Sequence, residues 1–197
     1  MKLGIFVGSF NPVHKGHIKL VKCILKENIV DKVLIIPTNN YWNKNNIIDI
    51  HHRLNMLNNY SNNKVVIDNE LNDLKYTYQI IRKLKKKYKG DELFLIIGAD
   101  NIIKFNEWKN YKYLLKLNLI ICKRDNIDIK YYLDKLNKKD KFFIVDSIND
   151  ISSTLIRNNI DNNKLLTKYI DKEVLDYIRV NNLYREWSKW NIKNMLF

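Results

Sequence analysis

The first half of the chain alternates short, wholly apolar runs with longer stretches in which apolar positions recur every three or four residues. Residues 3–7, 33–36, 65–67, 93–97 and 119–122 form such runs, with 142–145 a sixth. Runs this short and this apolar predict strands buried on both faces of a parallel sheet. Between them, Ile18, Val21, Ile24 and Leu25 fall on one face of a helix. Tyr76, Ile80, Ile81, Leu84 and Tyr88 fall on one face of another, with Lys83, Lys86 and Lys87 turned elsewhere. Asp49 predicts the start of a helix carrying Arg53, Leu54 and Leu57, and Asp171 the cap of one carrying Val174, Leu175 and Ile178. Pro12 and Pro37 are expected just beyond strands, where a missing N–H does least damage. The alternation describes an α/β fold: a five- or six-stranded, mostly parallel sheet flanked by helices.

The length of 197 residues suits one domain with a real core. Residues 1–184 are read as that domain. Residues 185–197, with Trp187, Trp190, Leu196 and Phe197, are read as a short extension that could pack on the body or on a second subunit, so monomer and homo-oligomer both stay open. No apolar run approaches the roughly 18 residues of a membrane span, and Met1 and Lys2 lead directly into the first run, so a cytoplasmic location is expected. Cys23 is expected in a helix and Cys122 at a strand end, both as small buried thiols. Neither belongs to a CxxC pair or a histidine cluster, which disfavours a zinc site or a disulfide scaffold.

A formal charge of +14 favours polyanions, and two classes of protein satisfy it. A nucleic-acid-binding protein would show basic residues interleaved with exposed aromatics. Residues 82–89 carry such charge, but their helical period equally describes a solvent-facing surface. An enzyme whose substrates are all phosphates is the other class.

The segment after the first strand, GSFNPVHKGH at residues 8–17, favours the enzyme. Gly8 lets backbone amides approach an anion, and the following helix start adds unpaired N–H donors. His14 and His17 can both point toward that anion, and they are two of only four histidines. Donors there stabilise charge growing on a phosphorus centre and on a departing pyrophosphate. The spacing matches neither GxxxxGK[ST] nor GxGxxG. Further on, Ile151-Ser152-Ser153-Thr154-Leu155-Ile156-Arg157 begins another helix, and Arg157 can reach back beside its first turn with a charge-assisted fork. If the two helix starts face each other, they grip a triphosphate from two sides.

GSFNPVHKGH and ISSTLIR together resemble the paired signatures of the HxGH nucleotidyltransferase superfamily. His52-Arg53-Leu54 with Met56-Leu57, Tyr76-Thr77, Gly98-Ala99-Asp100 followed by Trp108, and Val174-Leu175-Asp176-Tyr177-Ile178 through Leu183-Tyr184 are similar to its bacterial nicotinate-nucleotide adenylyltransferase branch. The resemblance covers about residues 1–184 and implies a Rossmann-like domain that transfers an adenylyl group from ATP to nicotinate mononucleotide. Nicotinamide mononucleotide and phosphopantetheine are the alternative acceptors.

It further implies that His14 and His17 contact ATP phosphates, with His17 stabilising the transition state, and that Ser152, Ser153 and Arg157 hold the β- and γ-phosphates. Gly8, Ser9, Phe10 and Ile151 would line the ATP site, and Thr77, Gly98, Asp100 and Trp108 the acceptor site. Mg2+ would accompany ATP, held largely by its phosphates. Read without the resemblance, Trp108 can equally anchor a crossover helix containing Tyr111 and Leu115, and Asp100 and Thr77 can be helix caps. The chain departs from the family pattern after Pro37, where Tyr41-Trp42-Asn43-Lys44 replaces a Pro-Pro-His-Lys loop. Lys44 would keep the phosphate contact of that loop. Asp73 and Lys75 stand where glycine and serine are usual, and Gln79 where an acid is usual.

Overall fold

Every apolar run is a strand in the computed structural model, which describes residues 1–39, 47–123, 127–146 and 151–185. The strands are β1 (Lys2–Gly8), β2 (Lys32–Pro37), β3 (Val65–Ile67), β4 (Glu92–Gly98), β5 (Asn118–Lys123) and β6 (Phe142–Asp146). All pairings are parallel, in the order β3-β2-β1-β4-β5-β6. The helices are α1 (Lys15–Lys26), α2 (Ile50–Asn58), α3 (Thr77–Lys87), α4 (Ala99–Ile103), α5 (Tyr111–Leu114), α6 (Ile129–Lys135), α7 (Ser153–Asn158), α8 (Asn163–Tyr169) and α9 (Lys172–Val180).

Alternating residues of each strand enter two cores on opposite faces of the sheet. Phe6, Val33, Ile35, Phe94 and Ile96 pack with Ile18, Val21 and Ile24 of α1, Met56 and Leu57 of α2, and Val174, Leu175 and Ile178 of α9. Ile5, Leu34, Ile36, Leu95 and Ile97 pack with Ile80, Ile81 and Leu84 of α3 and Ile102 of α4. This is why the strands read as unbroken apolar runs rather than alternating ones.

Several local expectations shift. Pro37 is the last residue of β2, opposite Gly8, rather than beyond the strand. Asp49 does cap α2, accepting from the His51 N–H at 2.7 Å. Asp171 holds the N-cap position of α9, but its side chain does not cap it. Its carboxylate accepts instead from the Tyr60 hydroxyl at 2.8 Å. Burial and that acidic acceptor push the Tyr60 hydroxyl far above the usual phenol range. Cys23 and Cys122 are half-buried rather than enclosed. The crossover expected to be one helix around Tyr111 and Leu115 is broken into α4, a 3-10 turn at Phe105–Glu107, and α5. Lys44 and the aromatic residues at 187, 190 and 197 lie outside the described residues.

Arg53 of α2 is 1% exposed and ties the ends of β1 and β2 together. Its Nη1 donates to the Ser9 carbonyl at 2.9 Å and the Thr38 carbonyl at 2.7 Å, and its Nε donates to the Ile48 carbonyl at 3.1 Å. Carbonyls beyond the ends of parallel strands have no ladder partner, and the guanidinium fork satisfies those of Ser9 and Thr38 together with that of Ile48 before α2. Arg53→Met keeps the volume but leaves those buried acceptors unpaired, at a cost of about 3 kcal/mol. We expect thermal unfolding to shift down by roughly 10 °C. An unchanged melting temperature refutes the tie.

Candidate active site

The chain passes from β1 to β2 and β3 on one side of the sheet, then returns to β4 on the other side of β1. Connections leaving β1 and β4 therefore diverge, and a crevice opens at their C-terminal ends. A cleft of about 680 Å³ occupies that position, floored by Val7, Gly8, Ile97 and Gly98. Of the residues singled out in the sequence, Gly8, Ser9, Phe10, His14, His17, Thr77, Gly98, Asp100, Trp108 and Ile151 line it.

His14 is the N-cap of α1 and His17 its third residue. The helix thus begins before its apolar face does. The His14 backbone N–H donates to His17 Nδ1 at 3.3 Å, and the two rings stack with centroids 3.7 Å apart. Accepting at Nδ1 assigns the proton of a neutral His17 ring to Nε2. His17 also meets the Phe10 ring edge-on, with centroids at 5.0 Å. Phe10 has φ 47, the left-handed region, and its ring lies over Gly8, where a Cβ would come within 3.2 Å of it. Gly8 thus makes room for an aromatic ring, besides any close approach of an anion.

The second segment meets the first. Ser153 Oγ donates to the Pro12 carbonyl at 2.9 Å, and Arg157 Nη1 to the Asn11 carbonyl at 2.8 Å. A Cβ on Gly16 would lie 2.8 Å from Ile151 Cγ2 and 3.0 Å from His14 Nδ1, so the absent side chain is what lets the segments touch. Ser152 caps α7, accepting from the Leu155 N–H at 3.1 Å. Ile151 reaches the cleft; Ser152, Ser153 and Arg157 are not among its lining residues, and of these Ser153 and Arg157 hold the loop through Pro12 and Asn11. Burial lowers the pKa of Arg157 from its ordinary value.

The opposite wall comes from the starts of α3 and α4. Thr77 is the first residue of α3, and Gln79 Oε1 accepts from the Tyr76 N–H at 3.0 Å, so the amide at 79 takes the capping part an acid could play. Gly98 is the N-cap of α4, and a Cβ there would collide with the Asp100 carboxylate. Trp108 lies against Phe105 with centroids 5.1 Å apart and also lines the cleft, so it both packs and presents a face. Sequence reading overlooked Thr38, Asn39, Lys75, Tyr76 and Lys104 as lining residues. Lys104 was detectable, four residues after Asp100 on the same helical face. Among the described residues no group of three or more His, Cys, Asp or Glu side chains could hold a metal ion, and no helix is long and apolar enough to cross a membrane.

Comparison with known proteins gives the chain its relatives. The cytidylyltransferase-like family matches residues 5–159. A probable nicotinate-nucleotide adenylyltransferase of Fusobacterium nucleatum is 36% identical over 196 residues, spanning 89% of this chain and 100% of that protein. One of Borrelia garinii subsp. bavariensis is 36% identical over 93% of this chain and 95% of its own length. A solved Plasmodium falciparum nicotinic acid mononucleotide adenylyltransferase, complexed with NaAD, superposes with a TM-score of 0.78 at 22% identity, covering 93% of this chain and 97% of its own. That likeness establishes the shared fold, and the sequence matches establish the lineage: the chain belongs to the nicotinate-nucleotide adenylyltransferase family, within the cytidylyltransferase-like group.

Proposed function

We propose that this protein transfers the adenylyl group of ATP to nicotinate mononucleotide, giving nicotinate adenine dinucleotide and pyrophosphate in NAD synthesis. The observation that carries the reading is the meeting of the two signature segments, Ser153 on Pro12 and Arg157 on Asn11, beside a cleft lined by both histidines. Family membership supports the same reaction.

A phosphate oxygen of the mononucleotide attacks the α-phosphorus in line. One O–P bond forms while the bond from the α-phosphorus to the bridging oxygen breaks, and pyrophosphate leaves with that electron pair. The attacking phosphate is already ionised, so no residue has to remove a proton. Catalysis then consists of positioning and charge stabilisation. His17 donates from Nε2 to the nonbridging oxygens as charge builds there, its ring held by the His14 N–H at Nδ1 and by Phe10. His14 and the start of α1 serve the same phosphate chain.

Ser152, Ser153 and Arg157 act at the β- and γ-phosphate end, from the segment that braces the loop. Magnesium enters as part of the ATP substrate, partly neutralising its phosphates. On the acceptor side, Trp108 offers a ring face to the pyridine, with Thr77, Gly98 and Asp100 around it. Lys75, Lys104 and Lys109 line the same cleft and attract phosphorylated substrates.

Pyrophosphate release should be measured from ATP and magnesium with nicotinate mononucleotide, nicotinamide mononucleotide or phosphopantetheine. We expect the first to give the highest kcat/KM, and release with none of them rejects the reading. His17→Ala is expected to lower kcat by about 100- to 1,000-fold, the usual effect of removing one transition-state donor, with little change in melting temperature. Near-normal turnover by the folded variant takes His17 out of the mechanism. Gly16→Ala pushes Ile151 and His14 apart and is expected to cut kcat/KM for ATP by up to about 100-fold; an unaltered value means that the contact of the two segments is dispensable.

A further inference from the structure

The loop between β1 and α1 is held from outside the cleft by residues distant in sequence. Asn11 is 2% exposed, and neither it nor Tyr184 lines the cleft. The Tyr184 hydroxyl donates to Asn11 Oδ1 at 3.2 Å across 173 positions of sequence. The same oxygen accepts from the Ile48 N–H at 3.3 Å, and the Asn11 main-chain carbonyl accepts from Arg157. Side chain and backbone of one loop residue are thus gripped together. Tyr184 is itself 4% exposed and has φ 70. A bulky L residue occupies the left-handed region only where its surroundings hold it there, and such positions gather at ligand clamps. Burial raises its hydroxyl far above the usual phenol range, so it is a neutral donor at any physiological pH.

We propose that Tyr184 is a positioning residue for the nucleotide-binding end of the cleft: its hydroxyl fixes Asn11, and through Asn11 the loop that carries Phe10 and His14. Loop geometry set within fractions of an ångström decides how well donors meet a phosphate. A hydroxyl with no access to the cleft therefore governs ATP affinity while leaving the acceptor wall, built on α3 and α4, untouched. This rests on the adenylyl-transfer reading.

The test uses Tyr184→Phe, which removes one oxygen and keeps the ring. Binding of magnesium–ATP is measured by calorimetry without acceptor, and KM for each substrate by pyrophosphate release. We expect Kd and KM for ATP to rise roughly tenfold, the usual worth of one hydrogen bond, with KM for the acceptor unchanged. Asn11→Ala approaches the contact from the other side, and the double variant should bind ATP no worse than Asn11→Ala alone, because both changes remove one coupling. An unaltered ATP Kd in Tyr184→Phe, an equal rise in both KM values, or losses that multiply in the double variant would each overturn the tether. If the unmodified protein binds no ATP, the adenylyl-transfer reading fails first and the tether falls with it. If it binds ATP and Tyr184→Phe binds equally well, the tether alone fails.

Discussion

Two neighbouring parallel strands whose connections leave in opposite directions cannot both be covered by the same crossover, and that constraint at β1 and β4 fixes where this protein keeps its chemistry. The strand ends leave unpaired backbone groups that need partners if they are not to be buried unsatisfied. Different parts of the chain supply them. Arg53 takes the carbonyls of Ser9 and Thr38, Ser153 takes that of Pro12, and Arg157 takes that of Asn11. The start of α1 brings His14, Gly16 and His17 to the cleft wall. Several backbone carbonyls around the crevice are thus satisfied from within the protein, which keeps them from opposing an anion there.

The sheet was legible in the sequence because burial on both faces leaves an unambiguous mark. Residues 33–36 and 93–97 have no polar interruption, and each strand extends only slightly past its apolar run. Helix starts were less legible. Asp49 caps as expected, but Asp171 spends its carboxylate on Tyr60, a choice set by tertiary contact. The α4–α5 region is broken into short pieces, with Asn110 at φ 56 in the left-handed region just before α5, an interruption that the apolar spacing did not mark. The paired signatures indicated which segments would meet, while their contacts depended on side chains that looked unremarkable in isolation.

Arg53 and Lys138 show why such residues escape a linear reading. Both look like ordinary solvated cations beside polar neighbours. Arg53 is buried against the strand ends, and Lys138, 5% exposed, donates to the carbonyls of Leu115 and Leu117 at 2.8 Å each. In both cases desolvation lowers the pKa, yet each carbonyl partner favours a cation over an apolar replacement. The net charge of +14 is therefore an imperfect guide to the surface, since part of it closes backbone ends inside the fold.

The contacts of Asn11 with Arg157 and Tyr184 also bear on biosynthesis, because they join residue 11 to residues 146 and 173 positions further on. A chain emerging N-terminus first can pair β1 with β2 early, since those strands are near in sequence. Its loop gains the Tyr184 anchor only after residue 184 has cleared the ribosome. A nascent chain that has paired β1 with β2 therefore still lacks the contacts through which residues 157 and 184 fix that loop.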